Sequence, residues 1–137
     1  MKGRLLMAIG IVWCLLPAIG AQALDFQPGQ YQITSTAEIP GMPAVPAQQT
    51  VQCLTEQEPV SADMVGSGCS ISNLKTSGNT VSWSMTCDQQ GTKATGTGRI
   101  TYQHDSFSGV FTTTMDTPGG PVTITTKSTG TRIGPCP

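Results

Sequence analysis

The chain has 137 residues, with seven Lys and Arg, eight Asp and Glu, and a single histidine. This length suits one domain of the common size of roughly 100–150 residues. Charged residues make up 11% and the formal net charge is −1, which argues against a polycationic surface that binds nucleic acid. One histidine excludes any mechanism that needs two imidazoles, and aromatic residues at 5% leave few rings on which bases or sugars could stack.

Residues 1–23 have the features of a secretory signal peptide. Lys2 and Arg4 give a basic start, an uncharged apolar run of about 12 residues follows, and Ala21-Gln22-Ala23 forms a small-x-small cleavage site. The apolar run is shorter than the ~20 residues that a helix needs to span a bilayer. We therefore expect cleavage near Ala23 and a periplasmic or secreted protein formed by residues 24–137, without a transmembrane segment.

Cleavage at this site would leave an even number of cysteines, because Cys14 lies in the leader. The four that remain are Cys53, Cys69, Cys87 and Cys136. In an oxidising compartment this number predicts two disulfides in a small domain. We do not expect a zinc site, because 15, 17 and 48 residues separate these cysteines whereas structural zinc sites use close pairs.

Short Thr- and Ser-rich segments between Gly, Pro and Asn predict β-strands through most of the chain. Residues 31–36 form the first predicted strand and residues 49–54 the second. The stretch 40–46 between them contains three prolines, which cannot donate to a sheet, and is predicted as an extended loop. Thr55-Glu56-Gln57-Glu58 has the spacing of a capping box and predicts one short helix that ends before Gly68.

A hairpin is predicted around Gly78. Val81, Trp83, Met85 and Cys87 alternate with small polar residues, which is typical of a half-buried strand. If Ser77-Gly78-Asn79 is a three-residue loop, paired residue numbers sum to 156 and Cys69 lies opposite Cys87. We therefore predict a Cys69–Cys87 disulfide, which leaves Cys53 to pair with Cys136, although a loop shorter by one residue would break this match.

Three further strands are predicted at residues 92–102, 107–115 and 122–128, with turns at His104-Asp105-Ser106 and Pro118-Gly119-Gly120-Pro121. About seven antiparallel strands joined by short connections predict an all-β fold. The expected architecture is an antiparallel meander forming a closed or partly open barrel with one short helix and two disulfides, and a β-sandwich of two sheets is the alternative.

Turn motifs and cysteines follow one another in a distinctive order along the chain. They are Pro28-Gly29-Gln30-Tyr31, Pro40-Gly41-Met42-Pro43, Cys53-Leu54-Thr55, Cys69, Gly78-Asn79-Thr80-Val81-Ser82-Trp83, Cys87, Gly96-Thr97-Gly98, Phe107-Ser108-Gly109 and Gly134-Pro135-Cys136. In this order the chain resembles the bacterial domain of unknown function family 3617, over about residues 25–136. The resemblance implies a small exported envelope protein and does not identify any catalytic residues.

Residue types that serve in catalysis occur here in unsuitable arrangements. His104-Asp105-Ser106 has the types of a hydrolase triad, but adjacent residues in a turn cannot converge on one substrate. Asp88, Asp105 and Asp116 could supply the carboxylate pair of a glycosidase, yet all lie near predicted turns, where acids are common. Gly96-Thr97-Gly98 lacks the wider spacing of a phosphate-binding loop. We expect neither an enzyme nor a cofactor.

A binding function is the remaining interpretation. The side chains that could line a ligand cavity, or could instead fill the core, are Tyr31, Trp83, Met85, Phe107 and Phe111. Those that could form an extended partner-binding arm, or merely a connection, are Pro40, Met42, Pro43 and Pro46. We expect a non-enzymatic binding domain for a small or lipid-like ligand. The alternative is a protein-interaction module or an inhibitor of an envelope enzyme.

Overall fold

The computed structural model describes residues 24–55, 60 and 67–137. The predicted leader, residues 1–23, and most of the predicted helix, residues 56–59 and 61–66, lie outside the described residues. The strands of the described part all belong to one sheet. They are β1 (Gly29–Glu38), β2 (Gln48–Leu54), β3 (Cys69–Ser77), β4 (Thr80–Gln89), β5 (Thr92–Gln103), β6 (Ser106–Thr117) and β7 (Gly120–Gly134).

The sheet is an up-and-down barrel that stays open between β2 and β3. Its order is β2-β1-β7-β6-β5-β4-β3, and every neighbouring pair is antiparallel. With these pairings β2 and β3 run in the same direction, so Leu54 at the end of β2 and Cys69 at the start of β3 lie at opposite ends of the sheet. Val60, the one described residue between positions 56 and 66, is buried in the core. The partly open barrel is therefore confirmed, and the alternative of two sheets is wrong because all the described strands hydrogen-bond into one sheet.

The hydrophobic core lies on one face of the sheet, here called the inner face. It carries Tyr31, Trp83, Ile100 and Phe107, while Ser and Thr dominate the outer face. The sheet is strongly curled, because Ser35 of β1 and Trp83 of β4 line the same small cavity although three strands separate them. In a flat sheet β1 and β4 would lie about 19 Å apart.

Glycines on the inner face make room for large side chains on neighbouring strands. Gly98 lies opposite Trp83 and Gly130 opposite Phe107. A Cβ atom at either glycine would overlap the ring that lies against it. The rings can therefore lie flat on the next strand, which lets the sheet curl around its own core.

The β3–β4 hairpin has a shorter turn than the sequence predicted. Ser77 pairs with Thr80, so the turn contains only two residues and the paired numbers next to it sum to 157. A bulge at Asn73, with φ of 53°, restores the sum of 156 beyond it. The predicted three-residue loop is wrong, yet Cys69 still lies opposite Cys87 because the bulge compensates for the missing loop residue.

Both predicted disulfides are confirmed. Cys69 and Cys87 join the adjacent strands β3 and β4, with their Cα atoms 4.0 Å apart. Cys53 and Cys136 join β2 to the segment after β7, with a Cα–Cα distance of 5.4 Å. Since β1 lies between β2 and β7, the second disulfide fastens the C-terminal segment across the first strand.

Candidate functional site

One end of the inner face, here called the packed end, is filled by aromatic rings. Phe26 packs against Tyr102 and Tyr31 with ring centroids 4.9 and 5.8 Å apart. Phe107 lies 5.8 Å from Tyr31 and 5.9 Å from Tyr102. All four side chains are buried, so this end is part of the core.

The opposite end of the inner face is open and carries a cleft of about 750 Å³. Its apolar lining comes from Cys69, Met85, Cys87, Ala94, Phe111 and Met115. Register brings these residues together, because Cys69, Cys87, Ala94 and Met115 lie side by side on β3, β4, β5 and β6. This volume falls within the ~300–1,000 Å³ that is usual for small-molecule sites.

A smaller cavity of about 120 Å³ lies deeper on the inner face. Its lining combines apolar side chains with hydroxyl groups: Trp83, Ile100, Phe111, Ser35, Thr126 and Ser128. Phe111 lines both the cavity and the cleft. The hydroxyl oxygens of Ser35 and Ser128 are hydrogen-bonded at 2.7 Å.

The inner face is electrically neutral at this site. The described residues that line the cleft and the cavity include no charged side chain. At the packed end, burial raises the pKa of both Tyr31 and Tyr102 above the ordinary value of 10.0, so both remain neutral at physiological pH. A neutral, largely apolar surface suits an uncharged apolar ligand better than an ion.

Three of the five predicted ligand-lining residues line the cleft or the cavity, and the other two lie at the packed end. Met85 and Phe111 line the cleft, and Trp83 and Phe111 line the cavity. Tyr31 and Phe107 instead belong to the packed end. The sequence analysis did not identify the lining residues Ala94 and Met115. Their alternation with outward-facing polar residues on β5 and β6 could have placed them on the inner face.

The predicted partner arm connects β1 and β2 on the surface. It begins with a tight turn in which the Met42 N–H donates to the Ile39 carbonyl at 3.1 Å. Pro40 and Gly41 occupy the centre of this turn, and the φ of 79° at Gly41 fits a type II turn. Met42 is 60% exposed at the end of the turn, and Pro43 and Pro46 are exposed beyond it.

His104 fastens the N-terminal segment to the β5–β6 turn. Its N–H donates to the Asp25 carbonyl and its own carbonyl accepts from the Gln27 N–H, both at 2.8 Å. The exposed side chain places Nδ1 3.0 Å from Asp25 Oδ1. Ser106 does not join this pair, because its hydroxyl donates to the Gln103 carbonyl at 3.4 Å. These contacts hold the segment before β1, which leads to Tyr31, over the packed end.

Two of the three aspartates considered for a carboxylate pair lie at the same end of the sheet and the third lies at the other end. Asp105 lies in the β5–β6 turn beside His104, whereas Asp88 and Asp116 lie near the β4–β5 and β6–β7 turns at the opposite end. In the part of the chain that the structure describes, no three His, Cys, Asp or Glu side chains cluster as metal ligands. No described helix has the length and apolar character to cross a membrane.

A family model with the description "Protein of unknown function (DUF3617)" matches residues 26–136. This range contains all seven strands and the four disulfide-bonded cysteines. No curated protein and no solved structure matches the chain.

Proposed function

Because this chain belongs to the DUF3617 family, whose description assigns no activity, we propose its function from its own inner face. The protein is a non-enzymatic binding domain that holds a small apolar ligand in the cleft at the open end. The observation that carries this proposal is the cleft of about 750 Å³, whose uncharged lining combines sulfur-bearing and apolar side chains with the polar residues Ser67, Gln90, Thr92 and Thr113.

The contrast between the two ends of the sheet supports this function. At the packed end the large side chains are buried by one another, whereas Phe111 and Met115 at the open end are only half-buried. Val122 and Ile124, which pair with Met115 and Thr113, continue the half-buried apolar surface onto β7. A bound apolar molecule would remove this surface from water, at about 25 cal/mol per Å². Methionine side chains adapt readily to the shape of such ligands.

The proposed setting is the bacterial periplasm or the cell exterior. Two disulfides are compatible with an oxidising compartment, and the leader-like residues 1–23 suit export. Recovery of the cellular protein with Leu24 as its first residue supports this setting. Recovery of a form that begins at Met1 contradicts it.

The binding function is tested with N-phenyl-1-naphthylamine, a neutral apolar dye that fluoresces in dry sites. We expect saturable binding to the wild-type protein and at least tenfold weaker binding to Met115→Asp, since the short carboxylate would face the cleft and cannot reach water as a lysine can. The matched control is Val51→Asp, which places the same charge at a 53% exposed position on the outer face of β2. Absence of saturable binding, or equal affinities of the two variants, contradicts the proposal.

A protein-interaction module remains the second candidate, because the arm presents Met42 at a fixed turn. An exposed apolar side chain on a Pro-rich segment binds a partner at little ordering cost. In this case native mass spectrometry of the cellular protein should show a stoichiometric protein partner that Met42→Ala loses while dye binding persists. A partner that Met42→Ala retains argues against the arm.

A further inference from the structure

The cleft has a polar rim at the open end of the sheet and a mainly apolar interior. Gln90 lies in the turn between β4 and β5, Thr92 is the first residue of β5, and both line the cleft. The next inward-facing residues on these strands, Cys87 and Ala94, lie opposite each other and are apolar. Deeper in the cleft, Thr113 is the one hydroxyl-bearing residue of the described lining. A ligand aligned with the strands would therefore meet polar groups at one end and apolar groups along the rest of its length.

The turn at the rim holds Gln90 in a backbone conformation that glutamine rarely adopts. Gln90 and Gly91 form the two-residue loop of the hairpin, with φ of 52° and 85°, as in a type I′ turn. Among the described residues, the other non-glycine residues with positive φ are Asn73 and His104, whose types tolerate it best. Glutamine does not belong to these types, and asparagine would suit the turn better. A residue kept in an unfavourable conformation beside a binding cleft points to a role for its side chain.

The Gln90 side chain is available to a ligand. It is exposed, and among the described residues its amide has no hydrogen-bond partner. A carboxamide offers one acceptor oxygen and two N–H donors, and a hydroxyl group both donates and accepts, so the two are complementary. The hydroxyl of Thr92 lies on the same rim and is also exposed. The rim therefore suits a ligand that ends in a hydroxyl group.

The charges around the cleft favour a neutral ligand. No charged side chain belongs to the described lining. The charged residues next to the rim on β4 and β5 are Asp88 and Lys93, which lie opposite each other on the outer face. An ionised group at the rim would lose part of its hydration without gaining a counter-ion, whereas a hydroxyl group exchanges water for the amide.

We propose that the ligand is a neutral single-chain amphiphile, such as a fatty alcohol or a monoacylglycerol, whose hydrocarbon chain lies in the cleft and whose hydroxyl group is hydrogen-bonded to Gln90 at the rim. This inference rests on the proposed function and names the ligand class for the same site. The apolar interior supplies the affinity that such ligands share with plain hydrocarbons, and Gln90 supplies the preference for the hydroxyl group.

The test compares 1-decanol with n-undecane, by displacement of N-phenyl-1-naphthylamine. Gln90→Met keeps an unbranched side chain of similar length in the turn and removes the amide. We expect this substitution to weaken binding of 1-decanol about fivefold, the effect of one hydrogen bond, and binding of n-undecane less than twofold. The matched control is Gln103→Met, at an exposed position at the end of β5 beside the packed end, and it should leave both affinities unchanged.

The outcomes separate this inference from the proposed function. If Gln90→Met weakens both ligands equally, or neither, the hydrogen bond is refuted while the apolar cleft stands. If neither ligand displaces the dye from the wild-type protein, the proposed function fails as well. Decanoate, the ionised relative, should bind the wild-type protein more weakly than 1-decanol, and tighter binding of decanoate overturns the neutral class.

A second variant keeps the test valid if Gln90→Met folds poorly. Asparagine fits the positive φ of this turn better, so Gln90→Asn should unfold at a higher denaturant concentration than the wild-type protein. Its shorter side chain holds the amide back from the cleft, so we expect it to bind 1-decanol about as weakly as Gln90→Met does. A variant that is more stable and binds 1-decanol as tightly as the wild-type protein would show that the glutamine has no role in binding, and would overturn the inference.

Discussion

Gly130 lies where the Phe107 ring packs onto the neighbouring strand. An added Cβ would overlap three atoms of that ring, and Phe107 is enclosed by Tyr31 and Tyr102. We therefore predict that Gly130→Ala lowers the free energy of unfolding by about 1–3 kcal/mol, the usual cost of forcing extra volume into a packed core. Chemical denaturation of the non-reduced protein measures this loss.

The same strand supplies the control for this substitution. Gly134 lies four residues further along β7, and a Cβ there meets no atom within 4 Å. Gly134→Ala should change the free energy of unfolding by less than about 0.5 kcal/mol. Equal effects at the two positions would mean that loss of glycine flexibility, and not the Phe107 ring, determines the result.

Tyr102 makes the fold sensitive to alkaline pH. Burial, and to a smaller degree the nearby Tyr31, raise the pKa of its phenol above the ordinary value of 10.0. Above about pH 10 the unfolded chain loses this proton while the folded chain keeps it, so stability is full below that pH and falls as the pH rises. Tyr102 then accounts for a loss of about 1.4 kcal/mol between pH 9 and pH 11.

Tyr102→Phe tests this contribution. We expect the variant to lose about 1.4 kcal/mol less stability than the wild-type protein between pH 9 and pH 11, as measured by denaturant titrations at each pH. Tyrosinate absorbance checks the cause, since the wild-type protein should show ionisation delayed beyond pH 10. Parallel stability curves for the two proteins would assign the alkaline loss to other groups.

At the scale of the strand, the bulge in β3 sets which residues face each other. Asn73 is the residue that disrupts the ladder, and one residue fewer in this region would make the pairing with β4 continuous. Deletion of Asn73 should therefore leave Cys69 opposite Cys87 and bring Leu74, now 55% exposed, opposite Trp83. We expect peptide mapping without reduction to find the Cys69–Cys87 disulfide intact.

Deletion of Ser70 is the matched comparison, because it removes one residue between the bulge and Cys69. Cys69 would then lie opposite Thr86 and face outward, while Cys87 still faces inward. We expect free thiols or incorrectly paired cysteines in this variant. An intact Cys69–Cys87 disulfide after both deletions would show that the cysteines, and not the ladder, determine the register.

The β3–β4 hairpin shows which structural features could be predicted from the sequence and which could not. Alternation of apolar and polar residues is local, so it correctly placed Val81, Trp83 and Met85 on one face. Turn length and bulge position produce no such alternation, so the sequence did not show the left-handed backbone that Asn73 adopts inside β3. The correct disulfide therefore followed from an incorrect loop, through two one-residue errors that cancel.

The same limit applies to the candidate site. Trp83, Met85 and Phe111 were identifiable as large inner-face residues, and they line the cavity or the cleft. The sequence could not separate them from Tyr31, since that residue is enclosed by Phe26 and Phe107, which come from distant segments. Which end is filled depends on packing between segments far apart in the chain.

For the whole molecule, the two disulfides restrain the unfolded chain to different degrees. The cysteines of one pair lie 83 residues apart in the sequence and those of the other lie 18 apart. In the chain-entropy model, the longer loop contributes about 4.5 kcal/mol of stability and the shorter about 3 kcal/mol. The longer one also joins the C-terminal segment to β2 across β1, the strand through which β2 connects to the rest of the sheet.

We therefore predict that replacing Cys53 and Cys136 by serine destabilises the protein more than replacing Cys69 and Cys87, by about 1–1.5 kcal/mol. Denaturant titrations of both double variants, without reductant, give the comparison. The loss of dye affinity should instead be larger when Cys69 and Cys87 are replaced. These two cysteines line the cleft, whereas Cys53 and Cys136 do not. If the pair in the cleft proves to be the more stabilising one, native contacts rather than the entropy of the unfolded chain govern the stability of this sheet.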